Sequence, residues 1–92
     1  MIKSFKHKGL ENFFNTGKRA GIVPAHSSKL ARQLAALSNS KKPEHMNFPG
    51  WRLHPLHGDL ENYWSVTVSG NWRLVFTFVD GEAVQVDYLD YQ

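Results

Sequence analysis

The sequence predicts an α+β fold: a small, mainly antiparallel sheet of about four to five strands, with two N-terminal helices packed on one face. Three observations predict it. Apolar residues recur at helical spacing between residues 8 and 38. From residue 63 onward they alternate with period two. Between two of the alternating runs sits Asp80-Gly81, the two-residue signature of a type I′ hairpin turn. Strands joined in this way form an antiparallel meander, and helices preceding it bury their apolar stripes on one of its faces.

Each element follows from its residues. Residues 1–5 alternate weakly, with Ile2 and Phe5 inward, and read as a short strand. Leu10, Phe13 and Phe14 stand at i, i+3 and i+4 and predict a helix over residues 8–16, stopped by Gly17 in a left-handed cap. The linker that follows ends at Pro24, a residue tolerated in a helix's first turn because its missing N–H has no partner there anyway. A second helix is predicted over residues 25–38, with Leu30, Leu34 and Leu37 on one stripe. Residues 39–50 contain Pro43, Pro49 and Gly50 and read as an irregular connection. Residues 51–56 read as a strand whose Pro55 marks an edge or an end. Trp64, Val66 and Val68 then alternate with Tyr63, Ser65 and Thr67. Trp72, Leu74, Phe76 and Phe78 alternate with Arg73, Val75, Thr77 and Val79. A last strand over residues 83–89 has Val84, Val86 and Tyr88 on one side. The element order is β-α-α-β-β-β-β. Phe13, Phe14, Leu30, Leu34 and Leu37, with Trp51, Trp64 and Trp72, are the expected core.

Composition narrows the function classes. Ninety-two residues, 41% of them hydrophobic, support one core, so residues 1–92 are expected to form a single domain rather than a disordered chain. The absence of cysteine excludes disulfides and thiolate metal sites. No apolar run approaches the ~18 residues of a membrane span, and the first 25 residues lack the continuous apolar stretch of a signal peptide. A reducing cytoplasm is the expected compartment, and no membrane partner is expected. Charge is unevenly spread. Residues 1–47 carry nine Lys and Arg against two Glu, a net of +7, whereas residues 48–92 carry two Arg against six Asp and Glu, a net of −4. The basic half points to an anionic partner such as a nucleic acid.

Several motifs fall together along the chain: the opening Met1-Ile2-Lys3-Ser4-Phe5-Lys6-His7-Lys8-Gly9-Leu10, then Arg52-Leu53-His54-Pro55-Leu56-His57-Gly58-Asp59, Tyr63-Trp64-Ser65-Val66-Thr67-Val68, Asn71-Trp72-Arg73, and the ending Asp90-Tyr91. In this order they resemble the HigB-type toxins of the RelE/ParE toxin superfamily, over nearly the whole length. The resemblance implies a RelE-like α+β fold. It also implies a ribosome-dependent mRNA endonuclease of a bacterial type II toxin–antitoxin pair, neutralised by a HigA-type helix-turn-helix antitoxin. Other superfamily relatives poison DNA gyrase, so a gyrase inhibitor and a non-catalytic RNA-binding domain are the competing expectations.

The residues suit metal-free, cofactor-free RNA cleavage. The 2′-oxygen of RNA attacks its neighbouring phosphorus once deprotonated; a protein helps by taking that proton, neutralising the phosphorane and protonating the leaving 5′-oxygen. Arg73 alternates with Trp72 and Leu74, so it points outward if those are core, and its planar fork holds a phosphate with two hydrogen bonds. An ion pair with Asp87 or Asp90 is its competing role. His54 stands at a strand end, and imidazole exchanges protons near neutral pH. The resemblance implies functional roles for His54 and Arg73, and for Asp90 and Tyr91 at the acidic-aromatic ending, where Tyr91 can stack on a displaced base.

His57 and Gln92 are the expected RNA contacts near the cut. The resembled family tends to carry Lys and a terminal His at these two places, and glutamine cannot transfer protons near neutrality. A phosphate-binding His57 predicts cleavage that increases as pH drops from about 8 towards 6.5. Lys18, Arg19, Lys29 and Arg32, in the helical half, are expected to grip ribosomal RNA phosphates. His54, His57 and Asp59 have the residue types of a metal cluster, but residues three apart on a strand tend to opposite faces, so no metal site is expected.

Overall fold

Period-two alternation from residue 64 onward produces three long strands, and a two-residue strand before them joins the same sheet, in a computed structural model that describes residues 1–91. The strands are β1 (His54–Pro55), β2 (Trp64–Ser69), β3 (Trp72–Val79) and β4 (Glu82–Asp90), and they lie in the order β1-β2-β3-β4, each antiparallel to the next. Helices α1 (Lys8–Thr16) and α2 (Ser27–Ser38) precede them. Short 3-10 turns at Pro24–His26, Pro43–Met46 and Gly58–Leu60 punctuate the connections. The Cα radius of gyration is 11.9 Å. Among the described residues no helix is long and apolar enough to cross a membrane.

One sheet face is built for the helices. Val66, Leu74 and Tyr88 stand in register across β2, β3 and β4. With Phe76, Ala83 and Val86 they meet Leu10 of α1 and Leu30, Leu34 and Leu37 of α2 in one buried cluster. The helix stripe thus falls where its spacing predicted. His7 caps α1 by accepting the Leu10 N–H on Nδ1 at 2.9 Å, and Gly17 stops the helix in the left-handed region. Phe14 corrects the expected core: it lies beyond the stripe's edge, 37% exposed, with its ring 5.7 Å from that of Phe5. Trp51, Trp64 and Trp72 pack only their inner faces against the cluster.

Two irregularities reset the register. Thr77 pairs with Val84 but Val75 pairs with Asp87, so β4 carries one extra residue there. Gln85 takes a positive φ of 54° and its N–H turns out of the ladder to the Ser4 hydroxyl at 2.9 Å. This bulge puts Ala83, rather than Val84, on the face of Val86 and Tyr88. Residues 1–5 run parallel to β4 on its free side. They make two bridges, Ile2 to Ala83 and Phe5 to Val86, and the bulge keeps them from merging into a continuous strand. The second irregularity lies between Thr67 and Ser69. Here the Thr67 N–H donates to the Trp51 carbonyl at 2.7 Å, and its carbonyl accepts from Gln33 Nε2 of α2 at 2.9 Å.

The predicted strand over residues 51–56 shrinks to His54–Pro55. Gly50 and Arg52 both take positive φ, so the chain is still turning there, and Pro55 has no N–H to extend a ladder. Asp80 and Gly81, at φ 53° and 79°, make the tight β3–β4 turn as expected.

Candidate active site

Neither α1 nor α2 covers the sheet's second face. Register places His54 of β1 opposite Ser65 of β2, Ser65 opposite Val75 of β3, and Thr67 opposite Arg73. These residues alternate with Val66 and Leu74, so all of them face away from the helices. Residues 56–63 fold over one end of this face. The Leu56 N–H donates to the Tyr63 carbonyl at 2.9 Å, and the Thr77 hydroxyl donates to the Asn62 carbonyl at 2.8 Å. That cover buries Ser65 and Val75 although they lie on the helix-free side.

Beside the cover a groove of about 320 Å³ remains open. Leu56, Ser65 and Thr67 form its floor, and Arg52, His54, Arg73 and Tyr91 rise around it. The volume lies at the small end of ligand sites, the scale of a nucleotide rather than of a folded segment. Tyr91 reaches it because its N–H donates to the Asn71 carbonyl at 2.7 Å, which ends the β3–β4 ladder and fixes the turn-off of the chain. Arg73 Nη1 donates to the Gly70 carbonyl at 2.7 Å and to the Trp72 carbonyl at 3.2 Å. Both bonds use one terminal nitrogen of a five-donor guanidinium. They brace the fork within the β2–β3 turn.

Behind the groove, an aromatic cluster holds Trp72, the residue preceding Arg73. Its ring stacks on Tyr88 at 4.7 Å, and His26 meets both rings edge-on. The Tyr88 hydroxyl accepts the Val23 N–H at 3.3 Å and lies 2.6 Å from His26 Nδ1. Burial pushes the Tyr88 phenol above its ordinary pKa of 10.0, and the hydrogen bond from Val23 opposes that only in part.

The groove gathers His54, Arg73 and Tyr91. None of the other sequence-predicted site residues that the structure describes lines it. Asp90 is the cross-strand partner of Trp72, so it belongs to the register row of the helix side, and it is exposed. His57 is exposed in the turn after Leu56 and lies outside the residues that line the groove. Lys18 and Arg19 lie in the α1–α2 connection, and Lys29 and Arg32 on α2, all in the helical layer away from the groove. Arg19 borders a separate cleft between the helices with Phe13, Phe14 and Ala31. Gln92 lies outside the described residues. Among the described residues no three His, Asp or Glu side chains gather as metal ligands would.

Arg52 and Thr67 are groove residues that sequence reasoning did not single out as functional. Arg52 opens the motif that holds His54, but its facing depends on a left-handed backbone that no periodicity signals. Thr67 was legible through its register with Arg73.

Comparison with known proteins gives a consistent picture. A family model described as the RelE-like toxin of type II toxin–antitoxin system HigB matches residues 3–92. The chain is 42% identical over 91 residues to the Endoribonuclease HigB of Proteus vulgaris, covering 99% of each. It is 35% identical over 92 residues to the Toxin HigB-1 of Vibrio cholerae, covering 98% of this chain and 96% of the other.

Proposed function

The chain belongs to the RelE-like HigB toxin family of type II toxin–antitoxin systems, and on that premise we propose that it is a ribosome-dependent mRNA endonuclease cutting through the transcript's own 2′-hydroxyl. One observation carries the reading: the helix-free face holds a nucleotide-sized groove with His54, Arg73 and Tyr91 around it. In this reading the 2′-hydroxyl loses its proton, its oxygen bonds to the adjacent phosphorus, and the bond from phosphorus to the 5′-oxygen breaks. The leaving oxygen takes up a proton. The products are a 2′,3′-cyclic phosphate and a 5′-hydroxyl end.

Arg73 neutralises the phosphorane, whose charge grows during the step, and a pre-braced guanidinium does so without reorganising. Imidazole is the side-chain type in this groove that exchanges protons near neutral pH, which supports an acid–base role for His54. Tyr91 stacks on the base turned out beside the cut. Asp90, next in the chain to Tyr91, acts through the positioning of that ending. No metal or cofactor enters this reading.

A site this sparsely equipped relies on the ribosome for alignment, which is worth several kcal/mol of barrier. Lys18, Arg19, Lys29 and Arg32 supply the charge for ribosomal RNA on the opposite layer, leaving the groove free for the transcript. The cytoplasm is then the working compartment. Toxins of type II systems pair with a protein antitoxin, and here a HigA-type helix-turn-helix protein is the proposed partner.

The test adds the purified chain to ribosomes programmed with a defined mRNA and maps the 5′ ends produced. Cuts at the codon in the decoding site, absent with Arg73→Ala, are expected. Intact mRNA together with arrested DNA supercoiling would overturn the reading in favour of a gyrase poison.

A further inference from the structure

Among the described residues four non-glycine residues have positive φ: Arg52, Asn62, Asp80 and Gln85. Asn and Asp tolerate this region, and the bulge and the Ser4 hydroxyl account for Gln85. Arg52, at φ 54°, is the remaining one. Its backbone is held from both sides. The preceding carbonyl, of Trp51, accepts the Thr67 N–H, and the Trp51 ring packs at a tilt against Phe48, centroids 4.4 Å apart. Two residues on, His54 enters β1.

A turn at this place asks only for a residue that accepts left-handed backbone, and glycine meets that demand at least cost, as Gly50 does at φ 83°. The chain instead places a long cation there and aims it into the groove. No hydrogen bond or ion pair among the described residues engages its guanidinium. Among the described residues the groove wall contains no carboxylate, and it lies in the half of the chain that is net negative. Local charge there runs against its surroundings. Strain kept at a groove residue, with a side chain left unengaged, is the pattern of a ligand contact.

From these observations we propose that Arg52 is a second phosphate-binding residue of the groove, engaging the backbone phosphate next to the one at Arg73. The proposal rests on the endoribonuclease reading. Thr67 lies between the two arginines: it is the cross-strand partner of Arg73 and is hydrogen-bonded to the residue before Arg52. Two strand spacings separate their backbones, about 10 Å. Two guanidinium groups carried on backbones at that separation, one braced at Arg73 and one free to close on its ligand at Arg52, hold two successive phosphates of one strand, and so set which sugar stands beside Arg73.

The experiment compares the full chain with Arg52→Gly, Arg52→Lys and Arg73→Ala in cleavage of mRNA on programmed ribosomes, varying protein and salt concentration, with thermal melting of each variant. Arg52→Gly is expected to melt no lower than the original, since glycine suits the backbone. It is expected to raise the half-saturating concentration about tenfold and to flatten the log–log salt dependence by about 0.7, one phosphate contact on a single strand. Arg52→Lys is expected to recover most of the loss. Unchanged saturation and salt dependence in Arg52→Gly, with Arg73→Ala impaired, overturn the proposal and leave the endoribonuclease reading standing. A loss in Arg52→Gly that Lys does not recover assigns Arg52 to loop shape and also overturns it. If the unaltered chain cuts no mRNA, both fall.

Discussion

Replacing Gln33 with glutamate tests how the core holds the groove. Gln33 is fully buried on α2, and its Nε2 donates to the Thr67 carbonyl at 2.9 Å, behind the groove floor. Its Oε1 is buried with no hydrogen-bond partner among the described residues. A protonated glutamic acid keeps one donor for that carbonyl. An ionised one turns negative oxygen toward it in a fully buried site. Burial without a cationic partner raises a carboxyl pKa by up to ~3–5 units from ~4.3. Above ~4.3 the folded variant then holds a proton that the unfolded chain has lost, so stability falls as pH rises towards the folded pKa. The slope is about 1.36 kcal/mol per pH unit, so relative to the unaltered protein the variant should lose about 2.7 kcal/mol between pH 5 and pH 7. Urea unfolding at pH 5, 6 and 7 measures it. With a slope near 1.3 kcal/mol/M the gap between the two midpoints should widen by about 2 M. An equal gap at all three values would refute a buried Oε1 without a protein partner and the tie to Thr67 built on it.

Other outcomes follow from neighbouring parts of the fold. Tyr88→Phe removes a hydroxyl bonded to both Val23 and His26 and should cost about 1–3 kcal/mol by chemical denaturation. Because burial raises the Tyr88 pKa, the folded protein keeps its phenol proton above pH 10 while the unfolded chain loses it. Stability of the unaltered protein should therefore fall as pH rises beyond 10, and Tyr88→Phe should lack that decline. Gly81→Ala meets no neighbouring atom, so its cost should be the left-handed backbone alone, about 1–2 kcal/mol in unfolding free energy. Arg73→Lys keeps one charge but loses the fork, and should slow cleavage by roughly 10- to 100-fold with an unchanged melting temperature.

Much of the fold was written in periodicity. The leucine stripe of α2, the alternation of β2 and β3 and the Asp80-Gly81 turn all encode burial or backbone conformation locally, and each appears where its residues placed it. The misreadings share a cause, which is backbone that leaves its period. The Gln85 bulge exchanges Val84 for Ala83 on the core face and splits the pairing of residues 1–5. Positive φ at Gly50 and Arg52 shortens β1. At the groove, the facing of Arg73 was legible because Trp72 and Leu74 flank it. The position of Arg52 was not, because a left-handed arginine leaves no trace in residue type. His57 and Asp90 were placed by motif rather than by facing, and the alternation of strand and turn carries both out of the groove wall.

The central claim is that the helix-free face makes the transcript attack its own backbone. It is tested most directly by an mRNA carrying a single 2′-deoxynucleotide at the mapped cut, presented on programmed ribosomes. The account predicts that cutting at that site disappears, while the all-ribose transcript yields a 2′,3′-cyclic phosphate and a 5′-hydroxyl. Continued cutting at the deoxy site, with a 5′-phosphate on the product, would contradict it.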